Sequence, residues 1–361
     1  MGGDQLGRDL GFALHPVFPD MAVDEPPFTG PRARRKEAIR RTGIIRRTAP
    51  GAGRIEMPRP ETGLGGFRPL PQVDGLRGAL MRAKDRPEFG RFILRIWMSV
   101  AAVVLLTVST VSARSGTICT ILMDARSAEI LLEDGDCASR VTPTSTFKIP
   151  LAVMAYDAGI LKGVHDPVMT FRPGDADWGA NWKRDTDPAD WMRYSVLWYS
   201  QRITKAMGSA ALTRYAQEFG YGNADFSGDP GFENGLERAW VSSSLQISPR
   251  EQANFLRSLV LETLPVDRQA MSRARDLVEA HRSGGWQVYG KTGGAYPRRA
   301  DRSFDYAHGW GWYVGWARRE GEERVLIFAR LTQATARTSA SPGQLTREAF
   351  LQEWPQLAEG Q

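Results

Sequence analysis

Three short strings in this chain carry residue types suited to acyl transfer. STFK occupies residues 145–148, SVL occupies 195–197 and KTG occupies 291–293. On a helix, positions i and i+3 lie on one face, so the Lys148 amine can reach the Ser145 hydroxyl. Serine is a weak nucleophile until a base takes its proton, and lysine serves as that base only when burial lowers its pKa. The residues around Lys148 are apolar, so the strings predict an acyl-transfer enzyme with Ser145 as nucleophile.

Each string alone is weak evidence. Chance supplies on the order of one S-x-x-K in a chain of this length, and the glycine-rich KTG string also fits an ordinary turn. At a strand end, however, Lys291 and Thr292 would hold a substrate carboxylate, and Gly293 would let a ligand approach the backbone. Ser195, on a predicted loop, would complete a proton relay. The combination and its order favour an enzyme over a binding module.

Charge is distributed unevenly along the 361 residues. The formal net charge is +6, but residues 1–113 hold 18 Lys+Arg against 11 Asp+Glu, and the remaining residues hold 29 against 30. The body, residues 114–361, is therefore near neutral and has no basic surface for a polyanion. We expect no nucleic-acid partner.

Two N-terminal segments precede the body. Residues 1–80 are rich in Gly, Pro and Arg without an apolar period, which predicts a disordered or mis-started extension, with Met81 as an alternative start. A basic interaction tail is the alternative. Residues 81–113 resemble a signal peptide, with basic residues before an uncharged apolar run and small residues at its end. We expect export to the periplasm and no membrane contact after cleavage; an uncleaved anchor is the alternative.

The two cysteines, Cys119 and Cys137, lie on segments that read as a hairpin. An oxidising compartment permits a disulfide between them, although two buried thiols fit equally. Neither has a partner at zinc-ligand spacing, and the four histidines show no metal-binding pair. We expect no metal.

The order of strand-like and helical segments in the body predicts one α+β unit whose first and last segments share a sheet. The middle, residues 162–284, reads as helical and loop-rich. The other predicted elements are a hairpin at 117–124 and 129–133, a buried helix at 144–161, strands at 286–291, 311–317 and 324–331, and a closing helix at 346–353.

Six strings in order extend the three above. They are PTSTFKI at 143–149, YSVL at 194–197, YGN at 221–223, Trp240 in a segment reaching Ile-Ser at 247–248, YGKTG at 289–293 and WYVG at 312–315. Together they resemble the class D serine β-lactamases, or oxacillinases, over about residues 117–355. The resemblance implies a serine β-lactamase/penicillin-binding transpeptidase-like fold: an antiparallel sheet flanked by helices plus an all-helical lobe, with the active site between them.

The resemblance also implies roles for the catalytic residues. Ser145 would be acylated, and Lys148 would react with CO2 from bicarbonate to give N6-carboxylysine, the general base of both half-reactions. Trp240 would hold that carbamate through its indole N–H. Ser195 and Lys291 would carry the proton to the leaving nitrogen. No other cofactor is implied.

Further residues would bind the substrate. The backbone N–H groups of Ser145 and Gly294 would form the oxyanion hole. Thr292, Gly293 and Arg347 would receive the substrate carboxylate. We choose Arg347 because Arg-Glu-Ala at 347–349 matches the helix start of the family, with Arg337 as the fallback.

Two positions depart from the family pattern. Leu197 replaces the usual valine, and Val241 replaces a frequent leucine after Trp240. Both are expected to pack over the carbamate, so the two changes predict a compensating exchange of size. Residues 295–308, rich in Arg and Asp, follow KTG where substrate range is often set.

The sequence therefore predicts hydrolysis of the β-lactam amide of penicillin-type antibiotics, giving antibiotic resistance, by a monomer or weak homodimer. The first alternative is a membrane-anchored β-lactam sensor that acylates without turnover. The second, a penicillin-binding protein or cell-wall peptidase, usually has Ser-x-Asn at the middle motif, where this chain has Leu197.

Overall fold

The computed structural model describes residues 115–359. The predictions for residues 1–80 and for the signal peptide at 81–113 lie outside that range. Within it, no helix combines the length and apolar character needed to cross a membrane.

A single antiparallel sheet of six strands forms the centre of the fold, in the order β2-β1-β6-β5-β4-β3. The first two strands therefore pair with the last, which confirms the prediction that both ends of the body share a sheet. The strands are β1 Ser115–Asp124, β2 Ile130–Gly135, β3 Ala280–Ser283, β4 Trp286–Ala295, β5 Trp310–Arg319 and β6 Val325–Ala334.

Most of the helices lie between β2 and β3 in the chain, as predicted. A 3-10 helix, Thr144–Phe147, leads directly into α1. The α-helices are α1 Lys148–Asp157, α2 Pro188–Tyr194, α3 Leu197–Met207, α4 Ser209–Glu218, α5 Gly235–Arg238, α6 Pro249–Val260, α7 Arg268–Asp276 and α8 Pro342–Glu359.

The sheet is covered on both faces. Successive side chains of a strand point to opposite faces, so Trp312 and Val314 pack with the helices that follow β2, while Tyr313 packs against α8. On that second face, α8 contributes Phe350 and Trp354 to the apolar layer. The α+β prediction is confirmed, and the helices from α1 to α7 form the lobe that meets the sheet near KTG.

The predicted helix at 144–161 is shorter and begins differently. Its first turn is the 3-10 helix, and α1 ends at Asp157. Gly159 then takes a φ of +69°, in the left-handed region that glycine occupies at helix C-termini, and the N–H of Ile160 turns back to the Ala155 carbonyl. The boundary at 161 was therefore wrong.

Other elements also differ from the sequence prediction. β4 continues beyond Lys291 to Ala295, so KTG lies within a strand. β3 was not predicted, because its four residues show no apolar alternation. α8 begins four residues earlier, at Pro342, and includes Pro355; proline suits the first turn because it lacks an N–H.

Cys119 and Cys137 form a disulfide, with their Cα atoms 5.0 Å apart. The bond joins β1 to the segment that follows β2. Of the two alternatives that the sequence left open, the structure therefore has the disulfide.

Candidate active site

Ser145 lies on the 3-10 turn that begins the first helix. The turn is anchored by its neighbours: Thr144 donates its backbone N–H to the Trp240 carbonyl at 2.9 Å, and Thr146 Oγ1 donates to the Pro143 carbonyl at 2.7 Å. Gln252 Nε2 in turn donates to Thr146 Oγ1 at 2.8 Å. Ser145 itself stays partly exposed, so its backbone is fixed while the residue remains accessible.

Lys148 is the first residue of α1 and is buried, with 1% of its surface exposed. Its backbone N–H donates to the Ser145 carbonyl, which fixes the three-residue spacing of the two side chains on one turn. Burial lowers the pKa of Lys148 well below 10.5, and the nearby charge of Lys291 lowers that pKa further. Both effects favour the uncharged amine.

Trp240 is buried, with 1% of its surface exposed. Its ring stacks on Phe147, the neighbour of Lys148, with the ring centroids 5.3 Å apart. The Trp240 carbonyl accepts hydrogen bonds from Thr142 Oγ1 and from the Thr144 N–H. The position of Trp240 is thus tied to the same turn that carries the nucleophile candidate.

Ser195 and Lys291 are brought together from distant parts of the chain. Ser195 ends α2 with a φ of +56°, in the left-handed region, and its Oγ accepts a hydrogen bond from Lys291 Nζ at 2.5 Å. Burial and the charge of Arg347 lower the pKa of Lys291 to about 7. A lysine of that pKa can both hold and release a proton near neutral pH.

Gly293 of β4 lies close to the Ser145 turn. A Cβ atom at Gly293 would lie 2.3 Å from Thr144 Oγ1 and 2.9 Å from the Pro143 carbonyl. Only glycine permits this approach. Gly294 packs on the other side, where a Cβ would lie 2.9 Å from Ser341 Oγ, so its neighbours belong to the segment that enters α8.

Arg347 lines one pocket with Lys291 and Thr292. It lies in the second turn of α8, because that helix begins at Pro342; the prediction that Arg347 stands at the helix start was therefore wrong. The other residues that line the pocket are Met192, Arg193, Glu279, His281 and Gly290.

The fallback choice, Arg337, lies elsewhere. It is exposed, and its guanidinium sits over the ring of Tyr306 at 5.4 Å. The pocket therefore favours Arg347 as the cation beside Thr292.

Leu197 and Val241, the two departures from the family pattern, both border the apolar core of the helical lobe. Leu197 begins α3 and is buried, and Val241 is half-buried directly after Trp240. Both side chains therefore contribute to the packing of this apolar core.

Several residues that support the site were not predicted. Thr142 anchors Trp240, Gln252 anchors the Ser145 turn, and Glu279 and His281 line the pocket of Arg347. Each acts through hydrogen bonds to distant residues or through its position, so no fixed spacing in the sequence could have identified it. The YGN string offered a partial signal, since Asn223 Nδ2 donates to the Ser244 carbonyl after Trp240.

The described part of the chain was expected to hold no metal site, and the relevant side chains are arranged as follows. Between residues 115 and 359, no three His, Cys, Asp or Glu side chains are grouped so that they could hold a metal ion.

The fold and the site define a domain of the penicillin-recognising class, whose reactive group is a serine. In agreement, residues 118–351 match the family of the penicillin binding protein transpeptidase domain.

Comparison with individual relatives narrows the family further. The chain is 39% identical to β-lactamase OXA-9 of Klebsiella pneumoniae over 242 residues, which cover 66% of this chain and 87% of the relative. It is 36% identical to β-lactamase OXA-1 of Escherichia coli, covering 59% of this chain and 75% of the relative. The crystal structure of the class D β-lactamase OXA-427 is also similar, with a TM-score of 0.62 and 42% identity over 67% of this chain and 99% of that one. The chain therefore belongs to the class D β-lactamases, which are serine hydrolases.

Proposed function

We propose that this enzyme hydrolyses the β-lactam amide of penicillin-type antibiotics through an ester on Ser145, with a carboxylated Lys148 as the general base, and thereby gives antibiotic resistance. The observation that carries the proposal is the buried Lys148 amine, one turn from Ser145, with a pKa far below its ordinary value. The named relatives are β-lactamases, which supports β-lactam hydrolysis as the overall reaction.

The burial of Lys148 suits reaction with carbon dioxide. Only an uncharged amine has the electron pair that attacks the CO2 carbon; the N–C bond forms, one amine proton leaves to water, and a carbamate anion remains. Trp240 lies against the same turn through Phe147, and its indole N–H would hold one carbamate oxygen. The carbamate would then be the general base, so no histidine is needed for that role.

In acylation, the base at residue 148 takes the proton of Ser145 Oγ, and that oxygen attacks the lactam carbonyl carbon. The backbone N–H groups of Ser145 and Gly294 stabilise the charge that develops on the carbonyl oxygen. When the C–N bond breaks, the ring nitrogen takes a proton from Lys291 through Ser195. The proton that the base took from Ser145 then passes to Lys291, so the base is unprotonated again before deacylation. The 2.5 Å hydrogen bond between Ser195 and Lys291 and the lowered pKa of Lys291 support this relay.

In deacylation, the same base takes a proton from water, which attacks the ester carbonyl. The C–O bond to Ser145 breaks, the serine recovers its proton, and the opened acid leaves. One base on one rigid turn thus serves both half-reactions.

Thr292, Gly293 and Arg347 are the proposed binding site for the substrate carboxylate. Thr292 and Arg347 line one pocket with Lys291 and Arg193, beside the Glu279 carboxylate. A hydroxyl donor and several basic side chains therefore lie together there. A carboxylate matches that donor set.

The experiment is steady-state hydrolysis of a chromogenic cephalosporin in CO2-depleted buffer, with and without added bicarbonate. We expect many turnovers, at a rate that rises with bicarbonate, and no reaction in Ser145→Ala. A single burst would indicate the sensor that acylates without turnover. Wild-type protein that does not react would contradict the proposed activity.

We also propose that residues 81–113 are a cleaved signal peptide, that residues 1–80 are an extension outside the enzyme, and that the mature protein is periplasmic. The Cys119–Cys137 disulfide supports an oxidising compartment. N-terminal sequencing of the periplasmic protein is expected to begin at Arg114; a mature protein that retains residues 96–111 would contradict cleavage.

A further inference from the structure

A buried carboxylate outside the residues discussed so far lies at the centre of a polar cluster. Asp229 has 7% of its surface exposed. Its Oδ1 accepts a hydrogen bond from Ser243 Oγ at 2.8 Å, and its Oδ2 accepts one from Asn234 Nδ2 at 3.1 Å. The Asp229 backbone N–H donates to Asn234 Oδ1 at 2.8 Å. The carboxylate is therefore held in one orientation.

Three guanidinium groups surround the same carboxylate. Oδ2 of Asp229 lies 3.7 Å from Arg298, 3.9 Å from Arg238 and 3.9 Å from Arg302. Burial opposes ionisation of Asp229, but the hydrogen bonds from Ser243 and Asn234 and the charges of Arg298 and Arg238 outweigh it and lower its pKa. The single negative charge of Asp229 thus balances part of the positive charge of the three arginines, and the carboxylate itself has little access to solvent.

These contacts join two loops that border the active site. We define the Trp240 loop as residues 239–243 and the β4–β5 loop as residues 296–309. Arg298 and Arg302 belong to the β4–β5 loop, and Ser243 belongs to the Trp240 loop. Two direct bonds support the junction: Ser242 Oγ donates to the Tyr296 carbonyl at 2.9 Å, and Arg298 Nε donates to the Ser242 carbonyl at 3.4 Å.

From the Trp240 loop, the hydrogen bonds continue to the nucleophile turn. Ser242 donates its backbone N–H to Thr142 Oγ1 at 3.1 Å, and that hydroxyl donates to the Trp240 carbonyl at 2.8 Å. The same carbonyl accepts the Thr144 N–H, one residue before Ser145. A continuous set of polar contacts therefore runs from Asp229 to the turn that carries Lys148.

We propose that Asp229 is a positioning residue that fixes the Trp240 loop over Lys148 and so determines how firmly the carbamate is retained. The inference depends on the proposed carboxylation of Lys148. Without the carboxylate, the three arginines would repel one another. The repulsion is screened least for Arg238 and Arg298, whose side chains are 11% and 24% exposed, and more for Arg302, which is 46% exposed. The Trp240 loop would then shift away from the turn that carries Lys148. Water would then reach the carbamate, which would revert to amine and CO2 more readily.

The test compares full-length Asp229→Asn with wild-type enzyme in CO2-depleted buffer, with bicarbonate added in steps. Asparagine keeps the shape and loses the charge. We expect the bicarbonate concentration that gives half-maximal kcat to rise about tenfold or more, while kcat at saturating bicarbonate stays within a few-fold of wild type. A residue important only for folding would lower the active fraction without moving that concentration.

Asp305→Asn is the matched control. Asp305 lies on the same β4–β5 loop and also pairs with an arginine, Arg299, at 3.1 Å. Its side chain also contacts Ala307 and His308, which belong to that loop as well. We expect this variant to need the same bicarbonate concentration as wild type, within about twofold.

Ser243→Ala is the second variant, in case Asp229→Asn does not fold. It removes only the 2.8 Å hydrogen bond to Asp229, so we expect a smaller rise of about threefold. Wild-type bicarbonate dependence in the variants that fold would overturn the role of Asp229 while leaving the carbamate intact. If the wild-type enzyme hydrolyses the substrate at a rate that does not depend on bicarbonate, the proposed carbamate is contradicted. The proposed role of Asp229 is then contradicted with it.

Discussion

At the scale of single residues, the surroundings of Lys148 decide the chemistry. A solvated lysine is charged at neutral pH and cannot act as a base. Here the apolar residues of α1 and the stacked Phe147–Trp240 pair exclude water, and the charge of Lys291 adds to the effect of burial. These surroundings favour the uncharged amine that the proposed reaction with CO2 requires.

Replacement of this lysine is the most direct mutational prediction. We expect Lys148→Ala to lower kcat by about 10²- to 10⁴-fold, the range for removal of a general base, and any ester formed on Ser145 to persist. Quenched-flow mass spectrometry of the intact protein measures both effects. The control is Lys162→Ala, which removes an exposed lysine. Turnover of Lys148→Ala close to that of the control would contradict the assigned base.

Lys291 gives a prediction about pH and stability. Its pKa is lowered to about 7 in the folded protein by burial and by Arg347, and a lysine in the unfolded chain has a pKa of about 10.4. Between these pH values the unfolded chain binds more protons, so Lys291 makes the free energy of unfolding rise by at most about 1.4 kcal/mol per pH unit. Below pH 7 both states are protonated and this contribution is constant.

The measurement is urea unfolding of wild type and Lys291→Met at pH 7, 8 and 9. We expect the difference in free energy of unfolding, wild type minus variant, to increase with pH across this window. Parallel pH dependence of the two proteins would show that Lys291 has an ordinary pKa.

Leu197 and Val241 test whether two departures from the family pattern compensate each other. We propose that both side chains pack over the carbamate. Leu197→Val removes one methylene, and we expect the deacylation rate constant to change by about two- to fivefold, in line with about 0.8 kcal/mol for one buried CH2 group. Adding Val241→Leu should restore the wild-type value. A double-mutant cycle measures this coupling; unchanged deacylation in Leu197→Val would count against it.

At this scale the sequence predicted the residues that share a short motif. Ser145 with Lys148, Ser195, and Lys291 with Thr292 were predicted and are brought together, because motif spacing reflects a local backbone geometry. Asp229 was missed, since its partners lie on three separate segments and leave no pattern in the sequence.

At the scale of elements, β4 determines how closely the KTG string approaches the nucleophile turn. β4 pairs with β3 only over residues 286–289. The part of β4 after these residues contains Gly293, which faces the Ser145 turn. The strand and the 3-10 helix must touch backbone to backbone for the site to form.

Gly293→Ala should therefore separate the two elements. The added Cβ would lie 2.3 Å from Thr144 Oγ1, so the turn must move, and we expect kcat/KM to fall by about 10²-fold, the scale of a misplacement of about 1 Å. Gly116→Ala on β1 is the control, because its Cβ would meet only the Gln333 carbonyl at 4.0 Å. Equal acylation rates in the two variants would contradict this role of Gly293.

Element boundaries were the least predictable part of the fold. The end of α1 depends on the left-handed Gly159, and the early start of α8 depends on Pro342. β3 contains too few residues for a periodic pattern, and it is defined only by its pairing with β4. Such features depend on a single residue or on a distant partner.

At the scale of the whole molecule, the order of the elements predicted the architecture. Strands at both ends of the body and helices between them can share one core only if β1 and β6 meet, as they do. The full strand order was not predictable, because alternation along a strand identifies its buried faces and not its neighbours. The site lies where the helical lobe meets the sheet, so residues 145, 195, 240 and 291 converge only in the complete fold.

The central claim is that Lys148 carries a carbamate in the working enzyme. The ¹³C NMR spectrum of the protein in ¹³C-labelled bicarbonate measures it directly. We predict one carbamate resonance in the wild type that is absent from Lys148→Ala and present in Lys162→Ala. A wild-type enzyme that hydrolyses the cephalosporin under the same conditions and shows no carbamate resonance would contradict the claim.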